Sequence, residues 1–387
     1  MDAKINHLQE LLSKQEELHE ELKPYLQEAQ GLGPCLRSPL VYGIPYSEQL
    51  NAMYNEQYIA KCQYRDKAFQ EGDWGSYIFI HEKPYRVEVL YELERDHSDK
   101  ISDKDFWKNL GEIWTNIENM WQMEDHLRML LEMAEYHGRD DQDCMMDEVE
   151  LKLLNDLPEK FVVYRGHQGI NDLGLSWTLS PWRAQWFANR WKTDPEVSRA
   201  VIRKEHIVGI FLGRSEMEVG VLPEYLESRE DLETTPRSPF IRQMRGIAER
   251  QFNLNGNSYH GPWHWDNVER NAAALCRKTP GADTLVCQLF ANLHDFCRLN
   301  EDEDPQHGPR AAGFIKKLYK SGKLDINPTQ FEQLFHAICH HTDGVLHDDP
   351  TIGVCWDSDR MDLPRVNIIP DSAYFSTQAA KELIWRI

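Results

Sequence analysis

The sequence predicts a multidomain protein in which an α/β part is followed by an all-α helical bundle. Three observations predict it. Short apolar runs at 161–164, 207–212 and 219–222 are rich in Val, Ile and Phe, as strands are, and helical patterns fall only between them. From Trp263 onward Ala, Leu, Cys and Phe recur at helical spacing with almost no β-branched alternation. A length of 387 residues also exceeds what one ordinary hydrophobic core organises.

The elements follow in order. Ile5, Leu8, Leu11, Leu12, Leu18, Leu22 and Leu26 predict an amphipathic helix or a helix pair, closed by Gly31, Gly33 and Pro34, in an accessory region spanning 1–100. Ser102 is a candidate N-cap for a second helix, whose stripe of Phe106, Leu110, Trp114, Ile117 and Trp121 is expected in the core. The strands belong to a domain at 101–225. Residues 226–257, rich in Pro, Glu, Arg and Asn without clear period, read as a connector, and 258–387 as the bundle.

Composition narrows the function. With 41% hydrophobic and 28% charged residues the chain is a folded globular protein. A formal net charge of -21 repels phosphate backbones and anionic lipid, which disfavours non-specific nucleic-acid binding and a membrane partner. The chain has no run of 18 apolar residues and no apolar stretch at its start, which predicts a soluble, cytoplasmic protein. The eight cysteines form no Cys-x-x-Cys pair, a pattern of reduced thiols.

Two constellations carry chemistry. The first begins with Arg165, at the end of the apolar Val163-Tyr164 run, where a guanidinium can fork onto a diphosphate. Gly166 follows and would let a ligand approach the backbone. Ser176 and Thr178 place hydroxyls on one face of a strand around Trp177, and Glu216 and Glu218 are expected to share one strand face. Singly these are ordinary surface features. In this order, with Ala184-Gln185-Trp186-Phe187-Ala188 between them, they resemble the R-S-E class of ADP-ribosyltransferases over residues 103–222. The resemblance implies a split fold of two facing sheets with NAD in the cleft. It implies that Arg165, Gly166, Ser176 and Thr178 bind NAD, with Arg165 on its phosphates. Glu218 would be the catalytic glutamate, supported by Ser176, and Glu216 the acid that serves the acceptor. That acceptor is a macromolecule, a protein rather than a nucleic acid, and arginine is the side chain such a motif often accompanies. The relatives suggest a role in toxicity or phage conflict.

The second constellation is a density of His and Asp in the helical half. His294 and Asp295 follow the apolar Leu289-Phe290-Ala291, which places them at the inner end of a buried helix, where a metal would satisfy both. The order His264, His294-Asp295, His307, His340-His341, Asp357 resembles the HD superfamily of metal-dependent phosphohydrolases over residues 260–365. The resemblance implies a first divalent ion on His264, His294, Asp295 and Asp357, and a second on His307 with His340, His341 or both. Nitrogen and oxygen donors of this kind suit Mn, Fe, Co, Ni, Zn or Mg. His260 is expected to line the pocket, Asp359 and Asp362 to be structural or to support ligands, and His336 and His347 to be structural.

The leading expectation is therefore a bifunctional enzyme, NAD-dependent ADP-ribosyl transfer joined to hydrolysis of a nucleotide or ADP-ribose-type phosphoester. Two alternatives are an HD phosphohydrolase whose N-terminal half senses NAD, and an interaction protein with both sites degenerate.

Overall fold

The computed structural model describes residues 2–118, 120–169, 171–190, 194–232, 235–342 and 346–387. They form two compact units, residues 1–147 and 148–387. No helix among the described residues is long and apolar enough to cross a membrane.

The first unit contains α1 (Asp2–Ser13), a small sheet of β1 (Leu26–Ala29), β2 (Gly33–Arg37) and β3 (Tyr42–Gly43), and then five helices. These are α2 (Asn51–Glu71), α3 (Trp74–Phe79), α4 (Arg86–His97), α5 (Asp103–Asn116) and α6 (Glu124–His137). The three strands run antiparallel in sequence order. Ser102 caps α5 as expected, accepting from the Asp105 amide at 3.1 Å. Phe106, Leu110 and Trp114 are buried, but Trp121 lies beyond the helix and is 58% exposed, so the stripe ends one turn early. Leu18 and Leu22 are core residues, although they follow α1 rather than continue it. Glu94 of α4 is fully buried and accepts a two-pronged bond from Arg139 (2.7 and 2.6 Å), which also reaches Asp103 at the start of α5. A buried carboxylate needs such a fork, and this one ties the end of α6 to α4 and α5.

The second unit joins a sheet and a bundle. Its elements are α7 (Glu148–Asp156), β4 (Lys160–His167), β5 (Ser176–Thr178), α8 (Pro181–Ala188), β6 (Glu196–Arg203), β7 (Ile207–Phe211), β8 (Glu218–Val221) and β9 (Ser228–Asp231). The helices α9 (Pro239–Gln251), α10 (Pro262–Lys278), α11 (Thr284–Leu293), α12 (His307–Lys320), α13 (Pro328–His340), α14 (Pro350–Arg360) and α15 (Gln378–Leu383) complete it. The six strands form one antiparallel sheet in the order β7-β8-β5-β4-β6-β9. After β9 the described residues contain no strand, as the all-α expectation requires.

Three expectations change. The strands of residues 160–231 make a single sheet rather than two facing ones, and the only other sheet among the described residues lies in the first unit. The division falls after Asp147, not near 100 or 225, because α5 packs with the helices before it and the sheet and bundle cluster together. The supposed connector contains β9, an edge strand, and α9, capped by Ser238 and buried through Ile241, Met244 and Ala248 in the core of the bundle.

Gly166 has a different role from the one expected. A Cβ there would fall on the Ala184 carbonyl oxygen and within 2.6 Å of the Ala188 amide, so the missing side chain makes room for α8, not for a ligand. Gly166→Ala should destabilise the second unit by about 3 kcal/mol, the upper end for overpacking, measured by urea unfolding. Gly213→Ala, where a Cβ meets nothing within 4 Å, serves as the near-neutral comparison. Equal midpoints for the two variants would refute the packing role.

Candidate functional site

The ends of five helices bring the second constellation together. His264 lies in the first turn of α10, His294 and Asp295 follow α11, and His307 opens α12. His341 caps α13, and Asp359 lies in the last turn of α14. His264 and His294 are fully buried, and Asp295, His307 and His341 nearly so. Their donor atoms form three overlapping triads, each within 4.8 Å: His264, His294, Asp295; His294, His341, Asp359; and Asp295, His307, His341.

The protons of these imidazoles are located by what their Nδ1 atoms face. His264 Nδ1 lies 2.7 Å from an Asp362 carboxylate oxygen. The Nδ1 atoms of His294, His307 and His341 lie 3.2, 2.5 and 2.8 Å from the carbonyl oxygens of Phe290, Asp304 and Ile338. Each of those oxygens can only accept, so each Nδ1 donates and each Nε2 of a neutral ring carries a lone pair. Those lone pairs converge: His264 and His294 Nε2 stand 3.0 Å apart, and His307 and His341 Nε2 2.8 Å apart.

Carboxylates close the cluster. Asp295 Oδ2 is 3.7 Å from both His264 and His294 Nε2, while its Oδ1 is 3.0 Å from His307 and 3.4 Å from His341. Asp359 Oδ1 is 3.2 Å from His264 and 3.8 Å from His294. Asp295 Oδ1 and Asp359 Oδ1 are buried and accept no hydrogen bond, because the nitrogens beside them present lone pairs. Lone pairs facing lone pairs and anionic oxygens without a donor are costly unless a proton or a cation lies between them. The donor set therefore fits a metal ion. One proton per imidazole pair relieves the repulsion in its absence. Burial opposes charge on His264, yet the carboxylates of Asp359 and Asp362 raise its pKa, while burial pushes His294 down to about 3. In the other pair burial again opposes charge, and Asp295 outweighs it to raise His341.

Two predicted ligands lie elsewhere. Asp357 is fully buried, but its oxygens accept from the Ser376 and Thr377 amides and the Thr377 hydroxyl at 2.7–2.8 Å, fixing the start of α15. Two residues along a helix is a turn of about 200°, so Asp359 faces the cluster where Asp357 cannot. His340 likewise points away and packs its exposed ring against His336 at 4.7 Å, and His347 joins His336 and Trp356. Asp362 supports His264, as expected of a group behind a ligand. His260 donates from Nδ1 to Asp295 Oδ2 at 2.8 Å and so orients that carboxylate.

The first constellation lies on three adjacent strands, Arg165 on β4, Ser176 on β5 and Glu218 on β8. Arg165 donates through Nε to the Asn171 carbonyl at 3.0 Å and through Nη1 to the Ser176 carbonyl. Thr178 holds the Glu216 carbonyl at 2.5 Å and receives the Ser180 amide, which makes its hydroxyl part of the frame of α8. Trp177 is buried with its Nε1 on the Gly174 carbonyl at 3.0 Å, so it fills the core. Glu216 does not share a strand face with Glu218. It precedes β8 in a turn where Ser215 and Met217 have φ of 56° and 48°, uncommon for residues with a Cβ. The two acids converge instead on Arg214, whose Nη2 is 3.1 Å from Glu216 and 2.9 Å from Glu218. Burial raises the Glu216 pKa, with Arg214 opposing and Glu218 adding to the rise. Glu218 is 2% exposed.

Arg214 and Asp359 are the residues whose positions sequence reasoning missed. Arg214 was legible as a cation beside two acids, but its reach back over the turn depends on backbone angles that spacing does not encode. Comparison of the chain with protein-family models, curated proteins and solved structures returns no match.

If each imidazole pair holds one proton until a cation replaces it, metal binding should release about two protons near neutral pH. Affinity should then fall as pH drops, because protons compete for the same Nε2 atoms. Calorimetric titration with Mn(II) in buffers of different ionisation enthalpy measures the number. Binding without proton release at any pH between 6 and 8 would contradict the placement of the lone pairs.

Proposed function

We propose that the bundle is a metal-dependent phosphoester hydrolase of the kind its HD-like motif order suggests. One observation carries the reading: four imidazole Nε2 atoms and two carboxylate oxygens are directed into the same space, and both oxygens accept no hydrogen bond. His264, His294, Asp295 and Asp359 would hold one divalent ion. Asp295, His307 and His341 would hold another, with Asp295 shared. Such ions supply Lewis acidity toward a phosphoryl oxygen and lower the pKa of water. The chain's own part is to orient: Asp362 fixes the His264 ring, three backbone carbonyls fix the other imidazoles, and His260 sets the Asp295 carboxylate.

Asp295→Asn keeps the shape but removes charge from the shared oxygens. It should cut metal-dependent phosphoester hydrolysis about a thousandfold, several kcal/mol of lost stabilisation, and lower the metal content found by elemental analysis. His340→Ala should change neither. Wild-type metal content and turnover in Asp295→Asn would end the reading.

A second reading concerns the sheet and is favoured by the adjacency of Arg165, Ser176 and Glu218 on β4, β5 and β8. We propose ADP-ribosyl transfer from NAD there, with Glu218 stabilising the cationic sugar that forms as nicotinamide leaves. Arg214, between the two acids, would orient the Glu218 carboxylate. Glu218→Gln should lower transfer of labelled ADP-ribose to protein acceptors by at least about a hundredfold, the size of one lost electrostatic contact in a transition state. Undiminished transfer in that variant, with NAD as the only donor, would remove this activity.

A further inference from the structure

Beside the His and Asp cluster is a cavity of about 390 Å³ whose wall includes Asp295, His341 and Asp359. Three arginines also line it: Arg360, which donates through Nη1 to the Tyr374 carbonyl at 2.8 Å, and Arg298 and Arg365, more than nine-tenths buried at 8% and 5% exposed. Each of the latter two is anchored from behind. Arg298 donates through Nε to the Asn300 carbonyl at 3.4 Å and through Nη2 to the Asp302 carbonyl at 2.5 Å. Arg365 donates through Nε to the Tyr259 carbonyl at 2.8 Å and through Nη1 to the Asp362 carbonyl at 3.1 Å.

That leaves Arg298 Nη1 and Arg365 Nη2 without a hydrogen bond to any described residue; the Asp359 carboxylate is 3.8 Å from Arg365 Nη2, out of hydrogen-bonding reach. Burying a guanidinium is costly, and a nitrogen without a protein partner keeps its donors open to water or a ligand in the cavity. Two such groups on one small cavity, next to a metal-type donor set, match an anion that brings oxygens for both.

We propose that Arg298 and Arg365 form a phosphate clamp and that the substrate of this site is a phosphomonoester the size of a mononucleotide. The proposal rests on the hydrolase reading above and narrows it. A monoester dianion presents two charges and three non-bridging oxygens, enough for two guanidiniums as well as the cluster. A diester presents one charge and two oxygens. The cavity lies at the small end of small-molecule sites, which run from about 300 to 1,000 Å³, so it encloses a nucleoside-sized ester and excludes a polymer. Leu363, Ile368 and Phe375 give the remaining wall an apolar surface suited to a flat base or ring. In the reaction, a water oxygen forms a bond to phosphorus and the ester P–O bond breaks. The electron pair leaves on the alcohol oxygen, which takes a proton from that water, and orthophosphate is the other product.

The test uses the full chain loaded with Mn(II) and inorganic phosphate as the first probe. Arg298→Gln and Arg365→Gln should each weaken phosphate binding at least tenfold by calorimetry with metal content unchanged, and Arg298→Lys should restore part of it. With nucleoside 5′-monophosphates, Arg298→Gln should raise KM at least tenfold and lower kcat less. Bis-p-nitrophenyl phosphate, a diester, should be cleaved at least a hundredfold less efficiently than the monoesters. If esters are hydrolysed but both Gln variants keep wild-type phosphate affinity and KM, the clamp is wrong and the hydrolase reading stands. Preference for the diester overturns the substrate class. Arginine-dependent phosphate binding without hydrolysis of any ester supports the clamp and removes the hydrolase reading.

Discussion

The convergence of four Nε2 lone pairs at the middle of the bundle is the constraint on which the rest of the second unit depends. Helices that bury imidazoles and carboxylates this closely give up hydration worth several kcal/mol per charged group. The packing around them has to hold the arrangement against its own repulsion. The apolar core does so from every side: Trp265, Val268, Phe290, Leu293, Ile315, Ala337 and Ile338 are all fully buried. Small residues set the close approach. A Cβ on Gly308 would come within 2.6 Å of the Ile338 carbonyl, so α12 can lie near enough to α13 to bring His307 against His341 only because residue 308 is a glycine.

Support for the cluster extends outward in layers of hydrogen bonds. Asn267 donates to the other oxygen of Asp362 at 3.1 Å, and Arg270 donates to Asn267 at 2.9 Å, so the ring of His264 is fixed through Asp362, in the turn after α14, and through Asn267 and Arg270 of its own helix α10. The Arg365 backbone and side chain complete that turn. The same guanidinium that closes it therefore has its orientation fixed before any ligand arrives, which is what an anion site of low reorganisation requires.

How much of this the sequence disclosed depends on how each element buries its faces. His294 and Asp295 were legible because an apolar run ends on them, and the structure puts both in the cluster. The choice between Asp357 and Asp359 was not legible, since α14 is buried nearly all round, from Thr351 to Ser358, and no apolar stripe marks which side holds the site. His340 and His341 differ by one step of about 100°, which spacing to other helices cannot resolve. In the sheet, β6 and β9 were hidden because charged residues interrupt them, Arg199 and Arg203 in one and the consecutive Arg229, Glu230 and Asp231 in the other. β9 is an edge strand, where charge is tolerated, and β6 is an inner strand whose arginines are half-buried or exposed beside buried Ser198, Ala200 and Ile202. The helix α9 was legible in principle: Ser238-Pro239 is a cap and first turn, and Ile241, Met244 and Ala248 follow at steps of three and four.

The two constellations share one short helix, and this bears on why they occupy one compact unit. α8 covers β4 directly behind Arg165, because Gly166 admits the Ala184 carbonyl. On its other side Trp182 packs its ring against Tyr259, centroids 4.5 Å apart at a 31° tilt, and donates to the Ser258 carbonyl at 3.3 Å. Ser258 accepts the His260 amide through its hydroxyl at 3.0 Å, and His260 holds Asp295. Tyr259 receives Arg365 through its carbonyl. A displacement of α8 would therefore reach the shared carboxylate through three hydrogen bonds, and one arm of the arginine pair through a ring contact and one hydrogen bond. Side chains packed this densely shift between discrete arrangements rather than deforming gradually. The sheet carrying the first constellation and the bundle carrying the second therefore meet on one structural element, and neither could be repacked independently of the other.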